Sequence, residues 1–245
     1  MSSNEPHLTG HISKRFDQEL EEIRNQVLSM GGYVETQVNN GIKALVESDS
    51  ALATKVVKKE KEVNRMEVTI DEECVQILAR RQPAASDLRL LVAVIKTITD
   101  LERIGDHAEK LGRHQLELMD DGVSSVSFAR IEHLGELVSK MLHDSLDAFA
   151  RMSVDDAKKA HAMDKKINAE FEGLMRQLIM HMMEDPRTIK NALRVSWSIR
   201  ALERIGDHAK NICEYVIYLV VGRDVRHVLG KDKSHVDIIE EVEGR

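Results

Sequence analysis

The sequence predicts an all-α fold made of two tandem three-helix bundles. Three observations carry that prediction. Ala, Glu, Lys, Leu and Arg supply 100 of the 245 residues, while only eight residues are aromatic and three are proline. Strands need β-branched and aromatic runs broken by frequent turns, and such runs are scarce here. Apolar residues recur at steps of three and four almost throughout, which is the helical period. Finally, the eight residues Leu101–Ala108 return unchanged at Leu202–Ala209, the mark of an internal duplication.

Each element follows from the same pattern. The first helix carries Phe16, Leu20, Ile23, Val27, Met30, Val34, Val38, Ile42 and Leu45 on one face, in phase across Gly31-Gly32. Ser48-Asp49-Ser50 precedes the second, which presents Val56, Val63, Met66, Ile70, Cys74 and Ile77 and stops at Pro83, because proline lacks the helical donor. The third starts near Ser86 and runs through Leu91, Ile95, Ile98, Leu101, Ile104 and Ala108. Asp120-Asp121-Gly122 and Ser124-Ser125 form the most turn-like stretch and separate the repeats. Ile131, Leu134, Val138, Met141, Ser145 and Phe149 mark the fourth helix. Ser153 suits the N-cap of the fifth, with Asp155 and Asp156 in its first turn. Asp185-Pro186 opens the sixth, an Asp cap before Pro at the first helical position. Pro83 and Pro186 are 103 apart, and Leu45 and Phe149 are 104 apart. The chain therefore divides into a first bundle over 1–122, a second over 123–222 and a charged tail over 223–245.

Bulk properties exclude several classes. No apolar run approaches the ~18 residues of a membrane span, and the polar start lacks the apolar core of a secretory signal. This predicts a cytoplasmic protein without membrane insertion. The net charge of −7 is a poor match for nucleic acid, which attracts Lys/Arg stripes. Cys74 and Cys213 each lie in an apolar stretch and act as small hydrophobes.

The repeated acids are the candidate site. Glu102 and Asp106 share a helix face, as do Glu203 and Asp207. Glu102 follows Ile98 by four residues and Ile95 by seven, so it is in line with the apolar stripe. A carboxylate there is costly unless paired or bound. The second helix of each repeat offers Glu60-x-x-x-Asn64 and Asp164-x-x-x-Asn168 at the same spacing. Four oxygen-bearing side chains would converge per bundle, a donor set suited to Mg, Mn or Fe cations. Spacing alone leaves an ion-paired face equally open. Gly105 and Gly206 suit close helix packing. His107 and His208 point away from the acids and read as surface or supporting groups. Met175, Met180, Met182 and Met183 read as flexible core filler. The bundle helices contain no Glu-x-x-His pair, which argues against the alternative, a carboxylate-bridged metal enzyme. Asp224-x-x-His227 and Asp232-x-x-His235 have that spacing but fall in the tail. No phosphate loop and no catalytic constellation is present, so no enzyme is predicted.

The doubled Glu-Arg-Ile-Gly-Asp-His motif, Phe16–Leu20, Leu78–Arg89 and Asn211–Tyr215 together resemble the PhoU family, across residues 12 to 228. These are accessory and regulatory proteins of the bacterial high-affinity phosphate transport system. The resemblance implies two three-helix bundles in a cytoplasmic, often dimeric protein. It also implies partners: the phosphate transporter's ATPase and a sensor histidine kinase, with the phosphate-starvation response held off when phosphate is plentiful. Some members bind metal clusters through paired acids, which by position are Glu60, Asn64, Glu102 and Asp106, then Asp164, Asn168, Glu203 and Asp207. Asn64 and Asn168 replace a carboxylate, and Lys110 stands where the second repeat has Asn211. Both sites are therefore expected to be weakened, the first more than the second.

Overall fold

A computed structural model describes residues 14–83, 85–120 and 129–223. The helices are α1 (Lys14–Val46), α2 (Ser50–Arg81), α3 (Ala85–Asp120), α4 (Ala129–Arg151), α5 (Val154–Ala162), α6 (Asp164–Glu184) and α7 (Ile189–Val221), with a 3₁₀ turn at Pro186–Thr188. The described residues contain no strand. The predicted tail beyond Arg223 and the turn-like segment after Asp120 lie outside the described residues.

The duplication is visible in the turns. Asp49 caps α2 by accepting from the Leu52 N–H at 2.9 Å, and Ser153, 104 residues on, caps α5 by accepting from the Asp156 N–H at 3.2 Å. Each cap follows a residue in the left-handed region, Ser48 (φ 55°) and Met152 (φ 50°). In both turns the cap's own N–H closes the preceding helix, Asp49 onto the Ala44 carbonyl and Ser153 onto the Ala148 carbonyl, each at 3.0 Å. These six-residue closures satisfy carbonyls the helix end leaves free.

The predicted fifth helix is two helices. At Met163 the N–H bonds the Ala160 carbonyl, three residues back, at 3.0 Å. One turn tightens while the backbone stays right-handed (φ −66°, ψ −24°). The predicted sixth helix also begins differently. Asp185 does cap, accepting from the Arg187 N–H at 3.1 Å. However, its carbonyl is held by both the N–H and the hydroxyl of Thr188, at 3.0 and 2.7 Å. That i+3 grip makes a 3₁₀ turn first, and the α-helix starts at Ile189.

α1–α3 form one three-helix unit and α4–α7 the other, with α5 and α6 filling the place of α2. α3 and α7 make the most extensive interface of the molecule, so the buried apolar residues of both units form one continuous core. The two helices run antiparallel: Asp100 meets Asn211, His114 meets Ser198 and Glu117 meets Arg194. In that register Gly105 lies opposite Gly206, so the repeated octapeptides cross at the centre of the molecule. α1 and α4 cross antiparallel as well. A Cβ on Gly31 would approach Leu146 to 2.7 Å, and one on Gly135 would approach Ile42 to 2.7 Å. Gly31 and Gly135 are 104 apart, as are Ile42 and Leu146. This is one contact made twice about a pseudo-two-fold axis.

The methionines depart from expectation. Met175 and Met182 pack against the core, but Met180 is 62% and Met183 78% exposed. α4 reaches α6 where Arg130 bonds Glu170 and Gln177. The last turns of α6 extend past the first described turn of α4.

Candidate metal centre

α2 and α3 bring the first set of acids together. The α3 stripe turns Glu102 toward α2, where a Cβ on Gly105 would touch Val63 at 3.0 Å. Glu60 accepts from the Asn64 amide at 2.5 Å, one helical turn away. That leaves the Asn64 Oδ1 buried with no hydrogen-bond donor among the described residues. Arg103 stands 3.4 Å from Glu102 and 3.7 Å from Asp106. Burial raises the Glu102 carboxyl above its ordinary value, and Asp106, Glu67 and Glu60 push it further, against Arg103. Glu67 is raised as well, by burial, then Asp71, with Asp106 adding to it. Glu67 is a member of this cluster that the motif comparison missed. Its position was the available signal, since it extends the Glu60, Asn64 stripe by three residues.

α6 and α7 build the second set from the matching positions, with a different balance. Asn168 donates to Asp164 at 3.2 Å. Lys210 donates to the same Asp164 oxygen at 2.7 Å. Arg204 lies 3.2 Å from Asp207 and 3.7 Å from Glu203. Burial raises both Glu203 and Asp207, and Asp207 further raises Glu203. The counterpart of Glu67 here is Phe171, with the Arg200 guanidinium 5.9 Å from its ring centre. Beside the two arginines, Lys210 reaches the second site at Asp164, whereas the charge of Lys110 acts on His107.

The histidines occupy the seam between the repeats. His208 Nδ1 lies 2.5 Å from Asp100 Oδ1. A carboxylate oxygen accepts, so Nδ1 carries the proton. His107 packs on His208 with ring centres 5.7 Å apart, and its Nδ1 is buried without a partner among the described residues. Burial, then Lys110 and the neighbouring cations, lower its pKa to about 4. Cys74 and Cys213 are fully buried, and burial pushes both thiols up to about 12, which leaves them unreactive at neutral pH.

The donor chemistry of these clusters is all oxygen, the kind that hard cations take. Among the described residues no group of three or more His, Cys, Asp or Glu is placed to hold an ion. The acids are instead engaged by the Asn64 and Asn168 amides and by Arg103, Arg204 and Lys210. A cation would have to draw the side chains together and, in the second repeat, displace a lysine.

The PhoU domain family matches residues 27–114 and again 131–216. The chain belongs to the PhoU family. It is 52% identical over 225 residues to the phosphate-specific transport system accessory protein PhoU homolog of Pseudomonas putida, covering 92% of this chain and 88% of that one. It is 50% identical to the Escherichia coli K12 accessory protein PhoU, covering 92% of this chain and 93% of that one. The crystal structure of PhoU from Pseudomonas aeruginosa superposes with a TM-score of 0.83 at 50% identity, covering 85% of this chain and all of that one. The phosphate transport system regulatory protein PhoU from Streptococcus pneumoniae superposes with a TM-score of 0.79 at 30% identity, covering 86% of this chain and 99% of that one. The family match falls on the two repeats and leaves the tail outside. These PhoU relatives bear the names of accessory and regulatory proteins, not of enzymes. No described helix is long and apolar enough to cross a membrane.

Proposed function

We propose that this protein is a cytoplasmic regulatory adaptor of a phosphate-specific transport system. It works as a homodimer and contacts the transporter's ATPase and a sensor histidine kinase, so that the phosphate-starvation response stays off while phosphate is plentiful. The observation that carries this reading is half-identity, over more than nine-tenths of both chains, to the E. coli accessory protein of that system. The architecture is compatible: a rigid, core-filled helical body offering long exposed faces and inert thiols. Two measurements test it. The purified full chain should capture the ATPase and the kinase from phosphate-replete cells. A deletion strain should express phosphate-responsive genes in high phosphate, and normal repression there would sink the proposal.

A second reading concerns cations. We infer that the first-repeat cluster takes a hard divalent cation such as Mg, Mn or Fe through Glu60, Asn64, Glu67, Glu102 and Asp106. The unpartnered Asn64 Oδ1 and the mutually raised acids favour it. In the second repeat, Asp164, Asn168, Glu203 and Asp207 bind more weakly because Lys210 already neutralises Asp164. Metal analysis of protein purified without chelator decides the matter. Less than ~0.1 metal per chain would reduce the clusters to ion-paired surfaces.

A further inference from the structure

The second repeat leaves an apolar surface uncovered where α6 turns into α7. Ile189, Leu193 and Trp197 follow one another at four-residue spacing on α7, and all three are exposed. Ile179, Met180 and Met183 are exposed on α6. The two helices are antiparallel, in a register fixed by Asp164 with Lys210 and by Ile167 against Gly206. That register sets Ile179 level with Leu193, and Met183 level with Ile189. The matching corner of the first repeat exposes only Val75 and Leu88 as large apolar side chains. Contiguous apolar surface of this kind marks an interaction site more often than a free surface. Methionines beside one tryptophan give an adaptable floor with an anchoring ring.

The charge around this floor selects its occupant. Residues 176–200 carry five Arg or Lys side chains against Glu184 and Asp185, a net of +3 that falls to +1 with Glu172 and Glu117, the ion-pair partners of Arg176 and Arg194, in a chain whose total is −7. A second copy laid corner to corner would set Arg187 and Lys190 against themselves. The chain's own tail has apolar Val236, Ile239 and Val242 among acids, but it leaves from the far end of α7. Trp197 is 25 residues from Gly222, about 37 Å along a helix, and Ile189 is about 50 Å away. Thirteen residues from Arg223 to Val236 span at most about 43–47 Å when fully extended. Seated from Val236 the tail is held near full extension, and seated from Ile239 its sixteen residues reach about 53–58 Å, so the crosslinking experiment separates the tail from a partner.

We propose that this corner is the docking surface for an acidic amphipathic helix of a partner protein, laid with its apolar stripe on Leu193, Trp197 and Met183. The proposal deepens the adaptor reading, on which it rests in requiring a protein partner.

Trp197 is the only tryptophan of the chain, so its emission reports directly on the surface. The full chain is titrated with an eighteen-residue helical peptide carrying leucines at i, i+4, i+7 and i+11 and glutamates elsewhere. The same peptide with lysines for glutamates is the control. A saturable blue shift is expected with the acidic peptide, at least about tenfold tighter than with the basic one. Leu193→Asp and Lys190→Glu should each weaken it about tenfold, while Val68→Asp on α2 leaves it unchanged. No saturable response, or equal binding of both peptides, overturns the proposal. In cells, a photo-crosslinker at Leu193 should return an acidic amphipathic segment of another protein. Crosslinks to the chain's own tail or to a second copy overturn it. The two readings fail separately. If the Leu193→Asp protein still captures the ATPase and the kinase, this surface is removed and the adaptor reading survives. If the peptide binds but the deletion strain represses normally, the reverse holds.

Discussion

The two repeats share an octapeptide and a backbone plan, yet they surround that octapeptide differently. Asp100 of the first repeat holds His208 and Asn211 of the second. Its counterpart in the second repeat is Ala201, so His107 receives no acid. Four acids crowd the first cluster, while three acids and a lysine share the second. The first repeat exposes only Val75 and Leu88 at its corner, and the second exposes a larger apolar surface flanked by Arg187 and Lys190. Duplication has kept the core positions and freed the polar ones to specialise.

The largest effects should come from what the repeats share. Leu101 and Leu202 are both fully buried in the central crossing. Leu101→Ala and Leu202→Ala should each cost about 2–5 kcal/mol and lie within about 1 kcal/mol of each other. Because the core is continuous, urea unfolding of either variant should show one transition. Two transitions would mean that the repeats are separate folding units.

The shared part was also the part legible in the sequence. Helix existence, the Ser153 cap and the unbroken run through Gly31-Gly32 follow from local pattern, since each depends on residues within a turn or two, and the duplication follows from the repeated octapeptide. The split at Met163 was not legible, because one i→i−3 bond leaves the apolar phase intact. Met180 and Met183 were misjudged for another reason. They follow Leu178 by two and five residues, off the stripe of Ile167, Leu174 and Leu178, so their residue type was read and their helical phase was not. At the candidate site the motif pairs were visible, and Glu67 was legible as an extension of the Glu60, Asn64 stripe, but Lys210 entered through the register between helices, which no single helix encodes.

Next in size is the asymmetric seam. Asp100→Ala strands His208 and Asn211 in a mostly buried place and should cost about 2 kcal/mol. Transplanting the acid sharpens the comparison. Ala201→Asp places a carboxylate at the position pseudo-equivalent to Asp100, beside His107. Burial, then Lys110, His208, Arg204 and Arg103, lower the His107 pKa to about 4. An NMR titration should show it rising toward the ordinary histidine range, and an unchanged value would mean that the pseudo-symmetry does not extend to side-chain placement.

The paired glycines should differ modestly. A Cβ on Gly31 meets the terminal methyls of Leu146, which can rotate away, whereas one on Gly135 meets Ile42 Cγ2, fixed on a branched carbon. Gly→Ala inside a helix gains about 1 kcal/mol of propensity. Gly31→Ala should therefore be close to neutral, and Gly135→Ala should be destabilising by about 1 kcal/mol. Thermal unfolding of both variants checks the order.

The smallest effect separates the two acid clusters. Glu102 and Glu203 are both raised above their ordinary value, chiefly by burial and then by the neighbouring aspartate. A carboxyl whose folded pKa is raised contributes most favourably below its unfolded value, and that contribution is lost as pH rises through the folded one. At pH 7 each ionised glutamate therefore opposes folding, and Glu102→Gln or Glu203→Gln should raise Tm by a few degrees. The gain should shrink as pH falls and vanish below about 4.5. Glu67 and Glu60 add to the burden on Glu102, whereas Arg200 relieves Glu203, so Glu102→Gln should gain more. Mn²⁺ turns the same measurement into a test of occupancy. An ion bound among the first-repeat acids stabilises the parent and not Glu102→Gln, which closes the gap between them. A gap that stays open at millimolar Mn²⁺ leaves that cluster as a repulsive patch held by Arg103 alone.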